Sequence, residues 1–389
     1  MFRRCSRVMA AYKDRAAGIL FTAGPLSTSK TVRRAQLEDY GSRDHTFVNC
    51  IKEVRKGLID VAGVSHDRWT AVPLQGSGTM GIEAVFQTVT PRENAKWFVC
   101  HNGAYGRRLA SVAKKLGFDT VTFETEEGAQ MDLTALEKKL QSTPGVTNFA
   151  IVHCETSTGM LNPVENVSKI VRKLCPEATL FVDAMSSFGG VEFGVEQSCD
   201  ILVTSANKCI QGVPGFSIII AKQDLLNKCR GNSRSFTLDV AEQRDALDKT
   251  SQFSYTPPVQ AIVAFHQALK EHKEEGGVAA RQKRYQALCD KTIKGMESLG
   301  FELFLDPNHK DTFGHLITAY KAPKHRNWNF MKFYNLLKDD GIVIYPGKAS
   351  NADTFRIGSM GDLTAEDVDN LIASAKKALE KMECDLLDH

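Results

Sequence analysis

From residue 19 to about residue 225, short apolar runs rich in β-branched and aromatic side chains alternate with stretches whose apolar positions recur at helical spacing. Seven of these runs, 70–74, 97–100, 120–124, 150–154, 180–183, 201–204 and 217–220, predict strands. Amphipathic stretches such as 106–116 and 164–174 lie between them and predict helices. Buried strands separated by helices predict an α/β fold: a mainly parallel seven-stranded sheet covered on both faces. A long helical region, 258–299, follows and is interrupted at Gly276-Gly277. The pattern then changes to short runs at 301–304, 314–320, 342–345 and 354–357, with helices near 330–337 and from Ala365 onward. That reads as a smaller C-terminal α+β domain. The expected organisation is a leader at 1–18, a large domain at 19–270 and a small domain at 271–389. With no internal repeat and no low-complexity linker, the boundary is expected to be helical.

Composition adds exclusions. A chain of 389 residues exceeds what one compact core usually organises. The net charge of +3 is spread among interspersed acids, which disfavours a nucleic-acid or membrane-surface role. No segment is apolar for long enough to span a bilayer. The 10 Cys are scattered, without a CxxC pair or zinc-like Cys/His spacing, so a reduced compartment and no metal are expected. Residues 1–13 carry Arg3, Arg4, Arg7 and Lys13 but no acid. Such a leader fits a mitochondrial transit segment and a plain basic tail equally well, so cytoplasm and mitochondrial matrix both stay open.

Five segments could carry chemistry. Gln75-Gly76-Ser77-Gly78-Thr79 follows a predicted strand and opens a helix. Its glycines would let backbone N–H groups approach a phosphate, with hydroxyl donors from Ser77 and Thr79, although Gly/Ser turns before helices are common. Asp183 ends an apolar strand, where α/β sheets bind ligands, or else it caps the turn at Ser186-Ser187. Lys208 follows the strand at 201–204 and precedes a Gly/Pro-rich loop; alone, it reads as surface charge. Arg356, inside an apolar strand pattern, needs an anion: a ligand carboxylate or phosphonate, or a structural salt bridge. Tyr105 in Asn102-Gly103-Ala104-Tyr105-Gly106 could stack on a planar ligand or fill the core. Phosphate turn, strand-end Asp and strand-end Lys come in the order that a pyridoxal phosphate enzyme requires.

These segments, together with Gly24-Pro25-Leu26, Cys154-Glu155-Thr156-Ser157-Thr158-Gly159 and Val182-Asp183-Ala184-Met185-Ser186-Ser187-Phe188-Gly189-Gly190, resemble the fold-type-I class-V aminotransferases of the alanine–glyoxylate branch. Ile344-Tyr345-Pro346-Gly347-Lys348 and Phe355-Arg356-Ile357-Gly358 narrow the likeness to members acting on 2-aminoethylphosphonate and pyruvate. The resemblance implies that Lys208 holds pyridoxal 5'-phosphate as an imine and moves the substrate proton. It implies that Asp183 pairs with the pyridine nitrogen, Thr156 with the ring hydroxyl, and Ser77, Gly78, Thr79 and Asn207 with the phosphate. Tyr105 would stack on the ring. Thr256 would reach the phosphate of a neighbouring subunit in a homodimer. Gly24 and Arg356 would border the substrate. The chain departs from the family pattern at Gly41-Ser42-Arg43-Asp44-His45-Thr46, where Arg43 and His45 would alter the substrate entrance.

The implied reaction is a ping-pong exchange through pyridoxamine phosphate, giving phosphonoacetaldehyde and L-alanine. Transamination of alanine or serine with glyoxylate is the nearest alternative. A cysteine lyase on the same fold would need a nucleophilic Cys, and residues 300–360 contain none. A non-catalytic relative would be expected to lack the Lys or the Asp, and both are present.

Overall fold

The computed structural model describes residues 18–306, 312–345 and 353–387. All of the expected leader but Gly18, and the Pro346-Gly347-Lys348 part of one motif, lie outside the described residues. Seven strands form the central sheet: β1 (Trp69–Gln75), β2 (Lys96–His101), β3 (Asp119–Glu124), β4 (Asn148–Val152), β5 (Thr179–Asp183), β6 (Ile201–Ser205) and β7 (Phe216–Lys222). Their spatial order is β1-β7-β6-β5-β4-β2-β3. β7 runs antiparallel to both its neighbours, and the remaining pairs are parallel. Each expected strand is present, longer or shifted by a residue or two. β4 and β6 are buried at every position, which explains why their sequences are apolar without alternation.

Because six strands run the same way, their C-terminal ends share one edge of the sheet. The turns after β1, β2, β4 and β6, and the last residue of β5, all open there. The helix Gly78–Val89 starts at that edge, with the Ser77 hydroxyl accepting from the Met80 N–H at 3.4 Å. Its far half is anchored by Phe86, fully buried between Trp97 (ring centroids 4.3 Å apart) and Phe181 (5.7 Å, edge-on).

A second apolar core lies in the C-terminal part. The strands Ile317–Lys321 and Thr354–Gly358 pair antiparallel there, and Phe355 packs on Phe301 and Tyr320 at 5.4 and 5.5 Å. Alternation along the strand sends Phe355 and Ile357 into this core and Arg356 to the other face. The expected strand at 301–304 amounts to one bridge, Leu303 to Tyr320, because Phe301 is taken up by the aromatic cluster. The strand Ile19–Phe21, which sequence order places with the large domain, pairs in parallel with Ile342–Ile344 and packs in the second core. The expected helical break is a sharp bend: Val259–Glu275 and Gly277–Glu297 meet at Gly276 and Gly277, both at positive φ (111° and 74°). Among the described residues, no helix is long and apolar enough to cross a membrane.

Phe86→Ala would empty a fully enclosed site behind the helix Gly78–Val89. Urea unfolding should show a loss of about 3–5 kcal/mol, the range for a large aromatic removed from a core; a loss below about 1 kcal/mol would contradict this packing.

Candidate active site

A cavity of about 310 Å³ opens at the C-terminal edge of the sheet. Of the residues singled out from sequence, Ser77, Gly78, Thr79, Tyr105, Thr156, Asp183, Asn207 and Lys208 line it. Three others do not. Gly24 instead packs on Lys208: a Cβ at Gly24 would stand 2.5 Å from the lysine Nζ, and φ is +119° there, so a side chain is disfavoured twice over. Arg356 is buried just behind Tyr345, its guanidinium 4.9 Å from that ring, and Tyr345 is in the cavity wall. Thr256 is exposed on the loop before the helix Val259–Glu275. Residues 41–46 are not in the wall either: Asp44 caps the helix His45–Ala62 by accepting from the Thr46 N–H at 2.8 Å.

Lys208 and Asp183 dominate the electrostatics. The lysine amine donates to the Ala23 carbonyl at 2.5 Å. Burial pulls its pKa down from 10.5 to about 8, against the pull of Cys209 and Asp183, and the nearby Arg356 and Arg108 add to the lowering. Burial pushes Asp183 up from 3.8 to about 7, opposed by the Met185 N–H that donates to it at 2.9 Å and reinforced by Glu155. The local turn bond and the cavity-facing position therefore coexist in one carboxylate. A protonated ring nitrogen is the kind of partner that would repay its desolvation.

Arg356 donates one terminal N–H to the Thr156 carbonyl at 2.9 Å, while its buried Nε has no partner among the described residues. At the other end, Gly78 comes so close to Met185 that a side chain would collide with it. The helix N-terminus beside it offers free backbone N–H groups to an anion. The lysine, the carboxylate and the helix N-terminus that share the cavity wall fit pyridoxal phosphate.

Two further residues were not given a role by the sequence reading. Glu155 is fully buried and accepts from the backbone N–H of Gly106 (2.9 Å) and Tyr105 (3.1 Å) and from the Ser157 hydroxyl (2.6 Å). It caps the helix Ala104–Lys115 from outside and fixes Tyr105. Gly103 leaves it room, since a Cβ there would lie 2.5 Å from the carboxyl carbon. Arg108 lines the cavity with its guanidinium over Tyr105 at 4.9 Å. Its three-residue spacing from Tyr105 was the available signal, whereas Glu155 gave none, because its contacts are 50 residues away in sequence.

In the cofactor-free protein the raised Asp183 pKa has a defined sign. The unfolded carboxyl ionises first, so Asp183 costs stability progressively as pH rises from about 4 to 7. Asp183→Asn should therefore raise the melting temperature of cofactor-free protein near pH 8, and barely change it near pH 4. The opposite effect from Lys208 begins only as pH rises past about 8. A melting difference that is the same at both pH values would refute the assignment.

The class-V aminotransferase family profile matches residues 36–371. The 2-aminoethylphosphonate–pyruvate transaminase of Bacillus cereus (strain Q1) is 42% identical over 364 residues, covering 93% of this chain and 98% of that protein. The enzyme of the same name from Vibrio vulnificus (strain YJ016) is 42% identical over 363 residues, covering 93% and 97%. Among solved structures, an alanine–glyoxylate aminotransferase from Nostoc sp. superposes with a TM-score of 0.84 at 24% identity, covering 93% of this chain and 95% of that one. Pyridoxamine–pyruvate aminotransferase from Mesorhizobium loti gives 0.84 at 22%, covering 94% and 92%. The profile match over most of the chain and the near-full-length identity agree with the cavity's donor set: the chain belongs to the class-V aminotransferases, enzymes that use pyridoxal phosphate.

Proposed function

We propose that this protein transfers the amino group of 2-aminoethylphosphonate to pyruvate, with Lys208 holding the cofactor. The observation that carries the reading is the pair Lys208 and Asp183 on one cavity wall, with the unsatisfied Nε of Arg356 buried behind it. The 42% identity to transaminases of that name supports the choice of substrate.

Pyridoxal phosphate, when bound, supplies the electron sink for deprotonation at the amino carbon. The residues do the rest. Asp183 would keep a proton on the ring nitrogen, and Thr156 would bond the ring hydroxyl. Ser77, Gly78, Thr79 and Asn207 would hold the phosphate, while Tyr105, fixed by Glu155, would cover the ring. Lys208, with its amine pulled down to about 8, is neutral often enough near physiological pH to accept the substrate proton and return it. 2-Aminoethylphosphonate has no carboxylate on its amino carbon, so its anionic end lies further from the reacting centre. Arg356 binds that phosphonate and, in the second half of the cycle, the carboxylate of pyruvate. Gly24, having no Cβ, leaves room for the Lys208 side chain that packs against it.

The site would be completed in a homodimer, where Thr256 would reach the cofactor phosphate of the neighbouring subunit. Support comes from its exposure and from its surroundings: Phe236 is 78% exposed and lies 5.7 Å from the Tyr255 ring, an apolar surface beside the loop.

Mixing the cofactor-loaded protein with 2-aminoethylphosphonate alone should shift its visible absorbance in one half-reaction, and pyruvate should restore it. Turnover with alanine and glyoxylate but not with this pair would overturn the substrate reading. Lys208→Ala should lose both the visible band and turnover. Arg356→Lys should raise KM for both substrates roughly ten- to a hundredfold, the worth of a charge-assisted fork.

A further inference from the structure

The helix Gly277–Glu297 lines no part of the cavity, yet two of its side chains grip the turn that carries Lys208. That turn is closed by the Gln211 N–H donating to the Lys208 carbonyl at 2.7 Å. Gln211 sits at a φ of +65°, a left-handed conformation that costs free energy for a residue with a side chain. Its surroundings hold it there. The Gln211 amide donates to the Tyr285 hydroxyl at 2.7 Å, which also receives the Gly361 N–H and reaches the Cys209 carbonyl, both at 3.4 Å. Arg281, 2% exposed, donates to the same Cys209 carbonyl and through Nε to Glu275 at 2.6 Å. Arg284 shares Glu275 at 2.7 Å and bonds the Gly361 carbonyl at 2.8 Å.

The Cys209 thiol contacts the Ser186 carbonyl at 2.9 Å and Met360 at 3.6 Å, so both halves of the chain meet at this residue. The Gly189-Gly190 pair, left without a role by the reaction, finds one here. A Cβ on Gly190 would stand 2.8 Å from the Cys209 Cβ and 3.1 Å from the Tyr285 ring. A tight glycine pair, a strained Gln and a buried Arg thus converge on two peptides next to the lysine.

We propose that Arg281 and Tyr285 are positioning residues for Lys208, setting from the C-terminal part of the chain where its amine stands in the cavity. The proposal rests on Lys208 being the cofactor lysine. Charged and titratable groups that face the amine come from several elements: Asp183 from β5, Arg356 from the strand Thr354–Gly358, Arg108 from the helix Ala104–Lys115, and Cys209 beside it. Moving the turn changes the amine's distance to all of them, so its titration and its reach to the substrate carbon change together.

The test uses full-length, cofactor-loaded enzyme with Tyr285→Phe, Arg281→Met and Arg281→Lys. Melting curves identify a temperature at which each variant is folded. The pH midpoint of the visible band is read without substrate, and kcat and KM are then measured for both substrates. Tyr285→Phe and Arg281→Met should move the midpoint by about half a pH unit or more. They should lower kcat roughly ten- to a hundredfold while KM changes less than about threefold, because sub-ångström misplacement of a proton-transfer group acts on the chemical step. Arg281→Lys, which keeps a cationic donor, should recover most of both. Loss of the band in a folded variant would count as the same displacement. Folded variants with an unmoved midpoint and kcat within about twofold of the parent would overturn the proposal and leave a structural clamp. Should Arg281→Met not fold, Tyr285→Phe decides alone, since it removes one hydroxyl. A band that survives Lys208→Ala would instead overturn the lysine reading on which this one rests.

Discussion

The structure turns on keeping a buried amine and a buried carboxylate in one cavity. Lys208 and Asp183 sit on neighbouring strand ends, β6 and β5, and each is pushed toward its neutral form by burial. Isolated charges cannot be buried at this cost without compensation from their surroundings. The compensation present in the protein is partial: one backbone N–H for Asp183 and one carbonyl for Lys208. The remainder is what a cationic ring nitrogen and a carbonyl-bearing cofactor can provide, so the same arrangement that weakens the empty protein is what selects its ligand.

Holding those groups requires the rest of the fold to be stiff. The sheet brings four turns and the end of β5 to one edge, and buried partners brace the segments around them. Phe86 wedges the helix Gly78–Val89 against Trp97 and Phe181. Glu155 ties the Tyr105 helix to the turn after β4. The aromatic cluster around Phe355 sets the strand from which Arg356 projects in the opposite direction. Core packing in the C-terminal part therefore also sets where Arg356 stands, because Phe355 and Arg356 are adjacent on one strand.

The sheet was legible in the sequence because both faces of its strands are covered, which leaves unbroken apolar runs between amphipathic helices. The cavity residues were legible where they follow strands in sequence, as Asp183 and Lys208 do. What periodicity could not show was contact across the chain. Ile19–Phe21 has the same apolar signature as any strand, and nothing in it announces a partner more than 300 residues away. Glu155 looked like one acid in a polar turn until the fold brought the start of another helix onto it. Arg356 was legible as an inward cation, but its unpartnered Nε, on which its proposed role rests, exists only in three dimensions.

The same limit explains why Gly189-Gly190 reads as a family signature while its physical reason stays hidden. Glycine is required at 190 by a cysteine and a tyrosine that come from two other elements, one of them 95 residues further along. Small residues beside a reactive lysine invite an explanation from ligand access. Here the space is filled by protein: it admits the Cys209 and Tyr285 side chains, and with them the hydrogen bonds that hold Gln211 in a conformation it would not adopt alone. Strain of this kind persists only where neighbours over-determine it. That it occurs three residues after Lys208, gripped by a helix outside the cavity, ties the position of the amine to the packing of the C-terminal part of the chain.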